Sequence, residues 1–435
     1  MKKKKLSIIT LGCSKNLVDS EDIATRIHSK YDVAFEDNGD ADIVLLNTCG
    51  FILDAKQESI DTIMEYIRLK NEGAIERLFV FGCLVERYKK ELEADIPEVD
   101  EFFGVNDLPT ILDRLDADYP DLKVPVQEPR MLSTPKHTAY IKIAEGCDRY
   151  CAFCAIPYIR GRYVSRPMED IVGEVTRLAD SGTREFNIIA QDLSCYGKDL
   201  YNEYRLPELI EAMAAVENVK WIRLHYTYPN NFPLRTLDIM RDNPKVCKYL
   251  DIPLQHISDR VLTKMRRGHG KAETMELLKK IRETVPGIAL RTSLLVGFPG
   301  ETENAFEELV EFVKETKFDR LGVFTYSEEE GTYSAQHYAD RISKKKKQER
   351  ADRIMSIQQK ISLKLNTEKI GQKFEILIDR HEGNYWVGRT QYDSPEVDCE
   401  VLVLKSDAPG FHVGGFYNVV IDNAEEFDLY ARPVA

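Results

Sequence analysis

The chain has 435 residues, with 60 Lys and Arg against 73 Asp and Glu for a net charge of −13, and 43% of its residues are hydrophobic. That length allows two to four domains with real cores. The acidic balance argues against a surface that tracks a phosphate backbone over its whole extent, though a local basic groove remains open, and no apolar run reaches the length of a membrane span.

The N-terminal stretch MKKKKLSIITLGC has a basic start and a short apolar run ending in Gly-Cys. It resembles a lipoprotein signal, but its apolar core sits at the lower length limit, and the reading carried forward is a buried first strand. Up to about Pro125 the apolar runs KLSIITLG, ADIVLLNT and RLFVFG alternate with helical stretches near Asp19–Lys30 and Lys56–Glu72. This βαβ rhythm predicts a parallel sheet covered by helices, an α/β domain over residues 1–125. The stretch Asp116–Pro135 is rich in Pro and Asp and reads as a linker.

From about His137 six strand-like segments recur: AYIKIAEG, EFNIIAQD, WIRLHYTY, YLDIPLQ, IALRTSLLVG and RLGVFTYS. Helical stretches such as Met168–Asp180 and Ala272–Glu283 lie between them. Six such units predict a partial (β/α)6 barrel of the TIM type, with an open doubly wound sheet as the alternative on pattern alone. A basic amphipathic helix follows over about 343–369, with Ile354, Ile357, Ile361 and Leu365 at helical spacing. Its opening run SKKKKQER reads as a solvated helix end, or more sharply as a contact to an acidic or RNA surface. The second domain is expected over 136–368.

The last region, 369–435, changes to short strands: FEILIDR, NYWVGRT, VLVLKS, GFYNVVIDN and FDLYARP. They predict a small β-barrel. Five cations face twelve anions from Gly371 on, a net −7. Such a barrel repels phosphates and suits a basic protein surface.

Six of the nine cysteines form two sets of three. Nine cysteines without a pairing framework in a long chain fit a reducing, cytoplasmic setting. Cys147, Cys151 and Cys154 form C-x3-C-x2-C in EGCDRYCAFCAIP, with no fourth Cys or His in the next dozen residues to complete a zinc site. Glu145 and Gly146 ahead and Phe153 beside the last thiol add to the pattern. Cys13, Cys49 and Cys83 each end a predicted strand, 36 and 34 residues apart. In a parallel sheet all three emerge at the carboxyl edge, where open α/β sheets bind ligands. Three thiolates on a four-iron cube leave one iron open to a small molecule, so both triads point to clusters that do chemistry rather than only carry electrons. The bland reading for each is a set of buried structural thiols, and it is the one adopted for Cys195, Cys247 and Cys399.

The tight motif resembles the signature of radical S-adenosylmethionine (SAM) enzymes. Together with the dispersed triad and the terminal barrel, the whole chain resembles the methylthiotransferases. LGCSKNLVDSE, NTCGFILDAKQESI, CAIPYIRGRYVSRP and RTSLLVGFPGETE are similar to the RimO branch, whose members modify an aspartate of small-subunit ribosomal protein twelve. The tRNA-modifying relative MiaB typically carries an aspartate where this chain has Ser293.

The resemblance implies that Cys147, Cys151 and Cys154 ligate a 4Fe-4S cluster that chelates SAM. Reductive cleavage there yields a 5′-deoxyadenosyl radical that takes hydrogen from the aspartate β-carbon. Cys13, Cys49 and Cys83 would hold a second 4Fe-4S cluster that supplies sulfur, and a second SAM would supply the methyl group. The terminal barrel would be a TRAM domain docking the ribosomal protein. A reductase or flavodoxin-type electron donor and a sulfur donor are implied partners, with no membrane association and a monomer expected.

Phe153, Gln191 and Ser293 are the cofactor-contact candidates. The family's usual Gly-Gly-Glu on the second strand is replaced by AQDLSCYG. His225 and His256 lie near predicted strand ends, where barrel active sites gather, but read first as packed histidines. VGFPGE, Val296–Glu301, is either a cofactor turn or an ordinary strand-to-helix loop. No side chain is assigned as a proton-transfer catalyst, since acid–base chemistry does not break an unactivated C–H bond and a radical cofactor must. Two other readings stay open: a tRNA adenosine methylthiotransferase, and a non-catalytic iron–sulfur carrier.

Overall fold

The computed structural model describes residues 3–37, 39–117 and 128–434. Five parallel strands, β1 (Lys5–Thr10), β2 (Asp32–Ala34), β3 (Ile43–Thr48), β4 (Arg77–Gly82) and β5 (Glu101–Phe103), form the first sheet in the order β2-β1-β3-β4-β5. β3 is buried at every residue, as a central parallel strand covered on both faces must be. Its side chains alternate between two cores. Val44 and Leu46 join Leu78 and Val80 on one face, and Ile43 and Leu45 join Ile8 and Phe79 on the other. The three long strands are those read from the sequence. β2 and β5 are three-residue edge strands, too short to show a period.

The second sheet contains β6 (Thr138–Lys142), β9 (Glu185–Ile189), β10 (Trp221–Leu224), β11 (Val246–Asp251), β12 (Ala289–Val296) and β13 (Arg320–Thr325), all parallel. A two-stranded antiparallel ribbon, β7 (Ala144–Glu145) with β8 (Val164–Ser165), leaves it after β6. Each strand of the six neighbours the next one in the chain, without reversal. That is the order of a (β/α)6 partial barrel; a doubly wound sheet would reverse direction, so that alternative falls. The strands stop one to four residues short of the apolar runs that predicted them, and the remaining residues become loops at the carboxyl edge.

The helix Lys344–Thr367 buries Ile354 against the main core, with Ile357 and Ile361 beside it. Its lysine run is only partly solvated. Lys344 and Lys345 are exposed, whereas Lys347 is buried and its ammonium donates to the Tyr326 carbonyl at 2.8 Å.

β14 (Lys373–Glu382), β15 (Tyr385–Thr390), β16 (Glu400–Leu404), β17 (Phe416–Ala424) and β18 (Asp428–Pro433) close into a barrel, matching the five segments read from the sequence. This barrel docks on the amino ends of the second sheet. Arg389 pairs with Glu185 at 2.7 Å, Asp393 accepts from Arg320 Nε at 3.1 Å, and Glu375 pairs with Lys220 at 2.7 Å. Trp221 meets the Phe416 ring edge-on at 4.9 Å. Arg291 pairs with Asp398 at 3.5 Å and His137 with Asp379 at 3.0 Å. Four of the barrel's twelve acids therefore face inward on this interface. The sequence count of net charge overstates what is left for a partner.

Residues 118–127 of the expected linker, including the expected boundary at Pro125, lie outside the described residues. The part beyond them is anchored. Arg130 is buried between Glu21 and Glu174, at 3.2 Å from each, and Ser133 donates twice to Glu21 at 2.8 Å. Among the described residues no helix is long and apolar enough to cross a membrane.

Candidate functional site

The first sheet gathers the dispersed cysteines. The chain reverses direction between β1 and β3, and that switch point opens a crevice at the carboxyl edge. Cys13 caps the helix Ser14–Ile27 just past β1, Cys49 follows β3 directly, and Cys83 opens the helix Cys83–Asp95 after β4. Gly12, at φ +93°, explains how closely they come. A Cβ there would stand 2.7 Å from the Cys49 Cβ and 3.0 Å from its sulfur. A Cβ on Gly50 would stand 2.7 Å from the Cys83 carbonyl. Burial, with the neighbouring Cys13 and Cys49 adding to it, pushes the Cys83 thiol up to about 12. Burial raises Cys49 as well.

The tight triad sits in the loop between β7 and β8. The Cys147 amide donates to Gly161 at 3.1 Å, closing the base of the loop, and the Cys154 amide donates to Cys151 at 3.0 Å. Burial pushes Cys147 up to about 12 and raises Cys154. Cys151 differs from its neighbours. Arg267 donates to its sulfur at 3.3 Å, and the Tyr228 hydroxyl lies 3.7 Å away. The Tyr228 ring also receives two guanidinium groups, Arg149 at 4.2 Å and Arg267 at 4.3 Å from its centroid. Arg267 is buried, yet its Nε has no protein partner.

These features fit iron–sulfur clusters. Burial favours the neutral form of four of these thiols, and binding to a metal is what would draw off their protons. An orphaned buried N–H beside a ligand thiol is what a cluster sulfide would accept from. Among the described residues no three His, Cys, Asp or Glu gather tightly enough to grip one metal ion.

The two triads share a wall. Cys83 packs with Ala155 and Ile159, which immediately follow Cys154. Arg160 then crosses to the first domain, donating to Asn16 at 2.6 Å and Asp19 at 3.0 Å while keeping Glu145 at 3.0 Å. Lys142 joins Asp19 and, at 2.7 Å, Glu145. Burial alone would raise the Glu145 carboxyl; Lys142 and then Arg160 overcome it and hold it down at about 2. On the far side Lys56 and Arg87 reach Glu329 at 2.8 and 3.1 Å. The first domain thus caps the carboxyl mouth of the partial barrel from both flanks.

The remaining candidates separate. Gln191 is at the mouth and donates to Glu145 at 2.8 Å. Phe153 packs edge-on against Phe298 with centroids 6.4 Å apart. Ser293 sits half-buried in the middle of β12, its carbonyl accepting from the Gln255 amide at 2.9 Å. His225 and His256 are buried, and burial drives the first well below its ordinary value and the second down to about 3. Both are neutral at any working pH. In the Val296–Glu301 loop Gly297 donates to the Glu301 carboxylate, which pairs with Arg350 at 3.0 Å, so the turn is internally closed. Cys195 donates to Asp192 at 3.3 Å.

Sequence reasoning missed Lys15, Asp19, Lys142 and Arg160. Lys15 had a signal: it precedes buried Val18 by one helical step, an unexpected place for a charge.

Three family models match the chain: the Radical SAM superfamily over residues 141–313, the uncharacterized protein family UPF0004 over 5–104, and the TRAM domain over 370–434. The ribosomal protein uS12 methylthiotransferase RimO of Phocaeicola vulgatus is 54% identical over 433 residues, covering 99% of each chain. That of Christiangramia forsetii is 50% identical over 437 residues, covering all of this chain and 95% of the relative. Among solved structures, the radical S-adenosylmethionine methyltransferase TsrM of Kitasatospora setae superposes with a TM-score of 0.55 at 14% identity, over 74% of this chain and 75% of that one, a likeness of fold.

Proposed function

The chain belongs to the RimO family of ribosomal protein uS12 methylthiotransferases, and from that membership we propose that it adds a methylthio group to the β-carbon of an aspartate of uS12. It is a radical SAM enzyme, and its cofactors are SAM and 4Fe-4S clusters. The observation that carries the reading is the pair of cysteine triads, one in a loop and one at three strand ends, packed on a shared wall beside one charged girdle.

In this reading Cys147, Cys151 and Cys154 hold the cluster that binds SAM, and Cys13, Cys49 and Cys83 hold the second. When bound, these groups supply a carbon radical able to take an unactivated hydrogen, and the sulfur that replaces it. The chain's own residues do the rest. Arg160 and Lys142 lock the two domains in register, which would hold the two cysteine triads, and any clusters they carry, close to each other. Gln191 and Phe153 line the side where the nucleoside and methionine parts of SAM would lie, and Ser293 contributes from β12. The first domain excludes water that would quench a radical.

The acids left free on the terminal barrel, Glu396, Asp407, Glu425, Glu426 and Asp428, have no ion-pair partner among the described residues and offer a docking face to a basic ribosomal protein. The same acidity weighs against the tRNA-modifying alternative. A flavodoxin-type or other reductase donor and a separate sulfur donor complete the cycle.

The test is anaerobic turnover of the reconstituted enzyme with reductant, SAM and whole uS12, read by peptide mass. A methylthio increment on one aspartate is expected. An unchanged uS12 mass, with 5′-deoxyadenosine nevertheless released, would overturn the substrate assignment.

A further inference from the structure

Resting on that reading, we propose that Lys15 grips the carboxylate of the substrate aspartate and so selects an acidic side chain for the reaction. The cations around the mouth are almost all spoken for. Lys142 and Arg160 hold Asp19 and Glu145, Arg149 holds Asp192 at 2.7 Å, Arg291 holds Asp251 at 3.2 Å, and Arg267 lies on the Cys151 sulfur. Lys15 is 8% exposed and forms no ion pair with any carboxylate among the described residues. Its ammonium rests 3.2 Å from the centroid of the Tyr226 ring.

A buried cation without a counter-charge is expensive, and a cation–π contact replaces only part of the lost hydration. Such an arrangement persists where an anion from outside completes it. His225, whose ring tilts against Tyr226 at 5.9 Å, is driven toward its neutral form by burial and offers Lys15 no counter-charge.

The shelf under Lys15 is built in advance. Tyr226 is a non-glycine residue at φ +61°, a strained conformation that clusters at functional sites. Two backbone bonds hold it there: its amide donates to Asp251 at 3.2 Å and its carbonyl accepts from Leu193 at 3.1 Å. Leu193 lies two residues after Gln191, so the shelf belongs to the same loop as a SAM-contact candidate. On the other side, Lys15 lies two residues after Cys13 in the first turn of its helix. It thus spans from the sulfur-bearing triad to the floor of the cavity.

The chemistry agrees with the position. The carbon to be modified is bonded directly to the carboxylate carbon, so fixing the carboxylate fixes the reacting centre one bond away. Asparagine has nearly the same shape and can still accept from the ammonium, but it brings no opposing charge, so the buried cation would stay uncompensated. The carboxylate of SAM itself offers Lys15 the same chemistry, and the experiment must separate the two.

The experiment compares whole uS12 carrying either Asp or Asn at the target position, with holoenzyme of the native sequence, Lys15→Gln and Lys15→Arg, reading kcat/KM for each pair and the Kd of SAM. The native enzyme is expected to prefer Asp by roughly 10- to 100-fold. Lys15→Gln should lose most of that ratio through KM for the Asp protein, Lys15→Arg should restore part of it, and the SAM Kd should hold. A merely structural lysine would slow both substrates equally and leave the ratio intact, which would overturn the proposal. A raised SAM Kd with an intact ratio, or loss of cluster iron from Lys15→Gln, would overturn it as well. Failure of the native enzyme to modify the Asp protein would instead strike the function from which the proposal starts.

Discussion

Arg160 donates to the Asn16 side chain at 2.6 Å, and this one bond ties the loop of the tight triad to the helix that begins at Cys13. The guanidinium is buried and reaches Asp19 and Glu145 with its remaining donors. Together with Lys142 on Asp19, this planar group registers two domains far apart in sequence, and a lysine could not replace it donor for donor.

Arg160→Met should therefore cost more than a surface ion pair. Breaking a buried pair by removing one partner typically costs about 3–5 kcal/mol, because the opposing carboxylates are left uncompensated. Chemical denaturation should show the loss, and product formation should fall more than release of 5′-deoxyadenosine, since the two triads are no longer held in register.

Gly12→Ala should separate the two clusters. The new methyl group would collide with Cys49 at 2.7 Å and strain a backbone held at φ +93°. Iron and sulfide analysis should find one cube's content lost and the other's kept, with SAM cleavage surviving and sulfur transfer abolished. Retention of both clusters would show that the crevice at the β1–β3 switch has more room than the distances allow.

Arg267 donates to the Cys151 sulfur, and with the proposed cluster held there a positive donor at that place would stabilise its reduced, more negative state. Arg267→Gln should make the midpoint potential of the SAM-binding cluster more negative. A tenfold change in the one-electron equilibrium corresponds to about 59 mV in a spectroscopically monitored titration. Arg267→Lys should recover part of the shift.

Acid should undock the terminal barrel. Burial acts to raise the Glu185 carboxyl, but Arg389 and then Arg223 hold it well below its ordinary value of 4.5. Asp379 is likewise lowered from 3.8, with Arg389 and His137 overcoming burial. A depressed folded value means that this stabilisation is fully present above about 4.5 and is lost as pH falls toward the folded values. Emission from Trp221, read with the other tryptophan replaced by Trp386→Phe, should begin to change below that pH as the Phe416 contact opens. Glu185→Gln should show weaker docking already at neutral pH.

Charge reversal should sort the barrel's acids into two kinds. Glu425→Lys with Asp428→Lys should raise KM for uS12 in a salt-sensitive way and leave kcat nearly unchanged. Asp393→Asn removes the partner of buried Arg320, so it should lower stability rather than substrate affinity.

Much of this architecture is legible in the sequence because its signals are local and repeated. Five strands of the terminal barrel and the six of the partial barrel carry β-rich apolar runs, and the cysteine spacing sets one triad in a loop and the other at strand ends. What escaped the sequence is pairing between distant segments. Lys142, Asp19 and Arg160 look like ordinary surface charges until the fold sets them against each other across 141 residues or fewer. Asp393 and Asp398 look like free acid in the sequence because nothing local marks Arg320 and Arg291 as their partners. β2 and β5 have too few residues for a period to show.

The terminal barrel clasps the amino ends of the strands, whereas every cluster cysteine lies at the carboxyl ends. A partner seated on that barrel must therefore reach along the flank of the molecule, a span of at least ~20 Å for a six-residue strand. Only a substrate with a rigid body and a long projecting finger can touch both stations at once. On the proposed docking, an isolated peptide would bring the finger without the foothold, and the molecule would act as a caliper set to the dimensions of one folded protein.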